Sequence, residues 1–168
     1  HQIIKLFIFL LLLTGANHAW AGCFVDWVAY NQIDGTLGAG GAIALENIKA
    51  WDTSGDDITT CDVSELTNLH AAFQHKTTFN QDIGAWNVSN VTNMSSMFYN
   101  APAFNQDIGN WNVSKVTDMS IMFTDAAAFN QDIGNWDVSS VTNMNVMFYR
   151  APAFNQDIGN WDVSKVIS

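Results

Sequence analysis

The sequence predicts an α/β solenoid, a stack of 25-residue coils with a helical cap on the N-terminal side. Each coil is expected to hold a short strand and a short helix or 3₁₀ turn. Two observations predict it. The first is fixed self-similarity: the text FNQDIGNWNVSKVTDMSIMFTDAAA runs from Phe104 to Ala128, and near-copies begin at Phe79, Phe129 and Phe154 without an insertion. A constant period of about 20–50 residues marks stacked repeats. The second is a recurring apolar set, in that copy Phe104, Ile108, Trp111, Val113, Val116, Met119, Met122, Phe123, Ala126 and Ala128. One such unit cannot bury enough surface to offset the entropy of ordering itself, so neighbouring units must share walls.

Taken in order, residues 1–21 read as a secretion signal: Lys5 is basic, Leu6–Leu13 is an unbroken apolar run, and Ala19-Trp20-Ala21 has the small-x-small pattern of a cleavage site. The run is short for a membrane span. The first residue is His1 rather than methionine, so the true start is expected to lie upstream. Residues 22–53 carry no repeat and read as an N-terminal capping segment. Within it Gly35–Gly41 is a turn or linker, and Ala42–Trp51 places Ile43, Leu45, Ile48 and Trp51 on a helical stripe.

The repeats occupy 54–168: a faint coil at 54–78, clear coils at 79–103, 104–128 and 129–153, and a partial coil at 154–168. In the faint coil Ile58, Cys61, Val63, Leu66, Leu69 and Phe73 stand where the next has Ile83, Trp86, Val88, Val91, Met94 and Phe98. Within a coil, Gln81–Ile83 is expected to be a short strand ending in a turn at Gly84. Val91, Met94, Met97 and Phe98 have helical spacing, and Pro102 and Pro152 stop any continuation. Stacking in register makes ladders of Phe79/104/129/154, Asn80/105/130/155, Asp82/107/132/157 and Trp86/111/136/161. The last copy stops at Ser168 before its Met-Phe step, so further coils are expected beyond it, and the uncapped end is expected to self-associate.

The string FNQDIGNWDVS-x-VTNM-xx-MF resembles the 25-residue repeat of BspA-like leucine-rich-repeat surface proteins, also described as a Mycoplasma-type lipoprotein repeat of unknown function. The resemblance covers about 54–168. It implies a leucine-rich-repeat-like fold on a cell surface or in a secreted protein, a role in adhesion or protein binding, and no catalytic residues. Cys61 in place of Trp, with Leu66 and Leu69 in place of Val and Met, departs from the pattern as a terminal coil would.

Composition narrows the partners. A net charge of −10, from 16 acids and 6 bases, argues against nucleic acid or an anionic membrane. With 48% apolar residues the chain is not of disordered type. The expected partner is a protein or glycan at a cell surface. The binding-surface candidates are positions that vary between copies: Asn90, Lys115, Ser140 and Lys165; Tyr99, Thr124 and Tyr149; and Asn100, Asp125 and Arg150. No cofactor is expected and no catalytic constellation stands out. A structural spacer, or a fragment whose enzymatic domain lies beyond the C-terminus, is the alternative.

Metal readings are thin. Asp82, Asp107, Asp132 and Asp157 are expected to accept turn amides or face water; a cation stripe is the alternative, though calcium wants about six to eight oxygens. Cys61, His70 and His75 match no common zinc spacing, and Asp52, Asp56 and Asp57 lack the closing Glu of a calcium loop. Cys23 and Cys61 are an even pair in an exported chain and are expected to form a disulfide; lipid modification of Cys23 is the competing reading. N-x-S/T sequons occur at Asn87, Asn90, Asn93 and Asn112.

Overall fold

The computed structural model describes residues 48–49, 58–59 and 61–168. The expected signal segment, most of the expected capping segment and Cys23 lie outside them, as do Asp52, Asp56 and Asp57. Ile48 and Lys49 are helical, and Ile48 is buried in the same core as the repeats. Successive 25-residue units stack in parallel register, joined by isolated bridges from Asn68 to Asn93, Asn93 to Asp118 and Asp118 to Asn143. Among the described residues no strand extends beyond such a bridge, and Ile48 and Lys49 are the helical positions.

The methionine stretch shows why. In the second unit the amides of Met97, Tyr99 and Ala101 donate back to the carbonyls of Met94, Ser96 and Phe98, each closing a four-residue turn. The intervening amides of Met94, Ser96, Phe98 and Asn100 donate instead to Asp118, Ser120, Met122 and Thr124 of the next unit, at 2.9–3.0 Å. Alternate amides thus serve the unit and its neighbour. A helix would keep every amide within its own turn. The helical spacing of Met94, Met97 and Phe98 is therefore produced by linked turns. Positive φ at Ser96 (57°) and Asn100 (52°) breaks any helical path.

The Gln81–Ile83 stretch also carries no ladder pairing, and side chains engage the backbone at its two ends. Asn80 Oδ1 accepts the Asn105 amide at 2.9 Å, and Gln106 Nε2 donates to the Asn80 carbonyl at 3.0 Å. The Ile83 carbonyl accepts the Trp86 amide at 3.0 Å and the Trp111 indole Nε1 at 3.1 Å. Both patterns repeat one unit later, with Asn130 on Asn105 and Trp136 on Ile108. On another side, the amide and hydroxyl of Thr92 both donate to the Thr67 carbonyl, and Thr117 and Thr142 repeat the arrangement. The turn at Gly84 is present.

Two phenylalanine columns fill the core. Where one unit passes into the next, Phe73 stacks on Phe79, Phe98 on Phe104 and Phe123 on Phe129, with ring centroids 3.8–3.9 Å apart. Between units each ring meets its own counterpart at 5.6–5.9 Å, nearly parallel. Phe104, Ile108, Trp111, Val113, Met119 and Phe123 are all buried, as are Trp86 and Trp136. A core of repeated identical rings fixes register, since sliding one unit breaks every stack and every indole hydrogen bond together.

The turn geometry carries strain where the sequence is least suited to it. Four copies put Ala71, Ser96, Ile121 and Val146 at positive φ, and the same four put His75, Asn100, Asp125 and Arg150, four residues further on, there too. Asn, Asp and His tolerate this region; a β-branched side chain does so poorly. Val146, at φ 49° and 47% exposed, loses little packing on replacement. Val146→Asn is expected to raise stability by about 1 kcal/mol, read from the midpoint of a urea titration. A lower midpoint would show that Val146 contributes more through contacts than it costs in backbone strain.

Candidate functional site

The varying positions fall at two corners of each unit. Asn90, Lys115, Ser140 and Lys165 follow the tryptophan step, at the turn that opens on Ser89 in the second unit. Asn90 Nδ2 donates to the Ser64 carbonyl at 2.9 Å, and its Oδ1 accepts Lys115 Nζ at 2.8 Å. Ser140 is half-buried and Lys165 exposed.

The second corner closes the run of linked turns. Tyr99 is half-buried, with its ring centroid 5.0 Å from that of His75. Asn100 Nδ2 lies 3.0 Å from His75 Nδ1, and an amide NH2 can only donate there. Tyr149 is exposed and carries the Arg150 guanidinium 5.3 Å from its ring centroid, a cation–π contact. Asp125 is half-buried. Thr124 departs from the set: it is buried, and its hydroxyl donates to the Val146 carbonyl at 2.6 Å. Small and hydrogen-bonded, it acts as part of the wall where its column neighbours carry tyrosine. No hydrogen bond or ring contact among the described residues joins the two corners, so they form two strips.

Each member of the aspartate ladder serves its own turn. Asp82, Asp107, Asp132 and Asp157 accept the amides of Gly84, Gly109, Gly134 and Gly159 through Oδ1 at 2.9–3.0 Å. Among the described residues no three His, Cys, Asp or Glu side chains gather as a metal site would require. The zinc reading loses its thiolate, because Cys61 is disulfide-bonded. The chain has one other cysteine, Cys23, outside the described residues. His70 Nδ1 contacts the Ser95 hydroxyl at 2.8 Å and the Ser95 carbonyl at 3.0 Å. A carbonyl only accepts, so the proton sits on Nδ1, and the Ser95 hydroxyl donates to Asn93 Oδ1 at 2.7 Å. In that arrangement the imidazole donates and the Ser95 hydroxyl is directed to Asn93.

A second set of turns was hidden in the WNVS and WDVS steps. Asn87, Asn112, Asp137 and Asp162 each accept the amide of the serine two residues on, at 3.0–3.2 Å. Hydrogen bonds from the Ser64, Ser139 and Ser164 hydroxyls, then from their amides, hold the carboxyls of Asp62, Asp137 and Asp162 below the usual aspartate range. The interchange of Asn and Asp at this step has a chemical reason, since either supplies the acceptor oxygen. Of the sequon asparagines, Asn87, Asn90 and Asn112 are exposed and Asn93 is half-buried. Among the described residues no buried side-chain nitrogen or oxygen lacks a partner, and no helix is long and apolar enough to cross a membrane.

Stacked units, side-chain ladders and exposed strips of varying residues define a repeat protein. The chain belongs to the family described as Mycoplasma protein of unknown function, DUF285, which matches residues 67–168. No curated protein and no solved structure matches it.

Proposed function

We propose that this chain is a non-catalytic, BspA-like leucine-rich-repeat solenoid, secreted or held at a cell surface, that binds a protein or glycan through its lateral strips. One observation carries the reading. The recurring residues are engaged in ladders, turns and the core, whereas the positions that change from copy to copy lie at the corners, with Asn90, Lys115, Lys165, Tyr149 and Arg150 exposed, Ser140, Tyr99, Asn100 and Asp125 half-buried, and Thr124 buried. Lys115, Lys165, Tyr149 and Arg150 are outward-facing at the two corners, and their exchange leaves the stacked rings untouched. A solenoid repeats such positions along one surface, which suits extended contacts with a large partner. Exposed Tyr and Arg are side-chain types favoured at interfaces.

The test is binding to immobilised extracellular-matrix proteins and to a glycan array, by the parent chain and by a Lys115→Ser, Lys165→Ser, Tyr149→Ser, Arg150→Ser variant. The expected result is binding by the parent and a loss of about tenfold or more in the variant, with thermal stability changed little. Undiminished binding by the variant would move the contact off these strips. Absence of binding by the parent would remove the adhesion reading.

A further inference from the structure

The four N-x-S/T sequons lie in interior units, and their surroundings divide them into two pairs. Asn90 is engaged at both ends of its amide: Nδ2 donates to the Ser64 carbonyl at 2.9 Å, and Oδ1 accepts Lys115 Nζ at 2.8 Å. Asn93 is half-buried in the bridge between Asn68 and Asp118, and Ser95 of its sequon is buried. Asn87 and Asn112 differ. Each is exposed between a buried tryptophan and a buried valine, Trp86 and Val88 or Trp111 and Val113, and these anchors turn the asparagine outward. Oδ1 accepts the amide of Ser89 or Ser114 at 3.2 Å, and at Asn112 the Ser114 hydroxyl adds a bond at 2.7 Å. Neither Nδ2 has a hydrogen-bond partner among the described residues. Asp62, Asp137 and Asp162 stand in the same column and accept the serine amide in the same way. The turn thus needs only the side-chain oxygen, and the amide nitrogens of Asn87 and Asn112 are surplus to the fold.

We propose that Asn87 and Asn112 are acceptor sites for N-linked glycan, and that Asn90 and Asn93 are not. The donor is an oligosaccharide carried on a polyprenyl diphosphate. Asn Nδ2 bonds to the anomeric carbon of its first sugar, and the bond from that carbon to the diphosphate oxygen breaks with its electron pair. One Nδ2 proton leaves to a base of the transferase. The product keeps Oδ1, so the serine bonds that hold the turn at Asn87 and Asn112 survive the modification. At Asn90 a sugar on Nδ2 would crowd the contacts to Ser64 and Lys115, and at Asn93 it would enter the gap between bridged units. The sequon alone does not separate the four; the hydrogen bonds do. The proposal rests on the reading of the chain as exported. The Cys61 disulfide suits that reading, since such bonds persist in oxidising compartments, where sequons meet their transferase.

The experiment secretes the whole chain from a eukaryotic cell line behind the host's leader peptide and maps glycopeptides of the secreted protein by mass spectrometry. The expected result is glycan at Asn87, Asn112 or both, and at neither Asn90 nor Asn93. An Asn87→Asp, Asn112→Asp double variant should lose all glycan mass. Its turns should remain, because aspartate already holds the same turn at Asp137 and Asp162. Two results would overturn the proposal: secreted parent protein without glycan, or glycan at Asn90 or Asn93 in the parent or the double variant. A separate arm expresses the chain without the host leader. Retention inside the cell in that arm would count against export by residues 1–21, whereas the glycan map of the first arm decides the acceptor sites by itself.

Discussion

Trp111→Ala is expected to lower stability by about 3–5 kcal/mol, the range for removing a large aromatic from a core. Trp111 is buried, its ring centroid lies 6.4 Å from that of Phe98, and its Nε1 donates to the Ile83 carbonyl at 3.1 Å. The units on either side cannot close over the gap, because the phenylalanine columns and the threonine and asparagine ladders hold their spacing. Trp161→Ala provides the comparison. Trp161 makes the equivalent bond to the Ile133 carbonyl but is half-buried, with its ring stacked on Trp136 on one side. It is expected to cost less than half as much. Urea titrations of the two variants measure the difference, and equal losses would mean that a central unit gains nothing from having two neighbours.

The repeat made much of the core legible. Identical residues 25 apart become self-stacking columns, so the burial of Phe104, Trp111 and Phe123 could be read from spacing alone. The local backbone could not. Met94, Met97 and Phe98 have helical spacing, yet linked turns with alternating inward and cross-unit amides produce the same spacing. Only the partner of each amide distinguishes the two, and that partner lies in the next unit. No strand forms at the expected Gln81–Ile83, where Asn, Gln and Trp side chains engage the backbone groups at either end of the stretch.

The candidate site was legible in part. Variation between copies marked Lys115, Lys165, Tyr149 and Arg150, which are exposed. It also marked Thr124, which is buried because its hydroxyl found a carbonyl in the following unit. Variation alone does not distinguish an exposed residue from a small buried one. Nor does the period reveal how many corners a unit has, or that the varying positions fall at two of them.

Gly109→Ala is expected to cost about 2–3 kcal/mol, while Gly159→Ala should be neutral or slightly stabilising. Both glycines sit in the same turn, with their amides donating to Asp107 and Asp157 Oδ1 at 2.9 Å, so the local chemistry is matched. Neither needs a left-handed backbone. What differs is the next unit. A Cβ on Gly109 would collide with the Asp132 carbonyl oxygen, as one on Gly84 or Gly134 would meet Asp107 or Asp157 at 2.5 Å. That oxygen belongs to the backbone and cannot swing aside. Relief requires the two units to separate, which would stretch the 5.9 Å spacing of Phe104 and Phe129 and the Trp136 bond to Ile108. A Cβ on Gly159 would meet only its own turn's Asp157 Oδ1, at 3.1 Å, the end of a side chain that can shift. There, alanine reduces the freedom of the unfolded chain without a clash. Denaturation midpoints of the two variants should therefore move in opposite directions, or one should move and the other stay. If both fall together by the same amount, the glycine serves its own turn, and the close approach of neighbouring units is not what requires it.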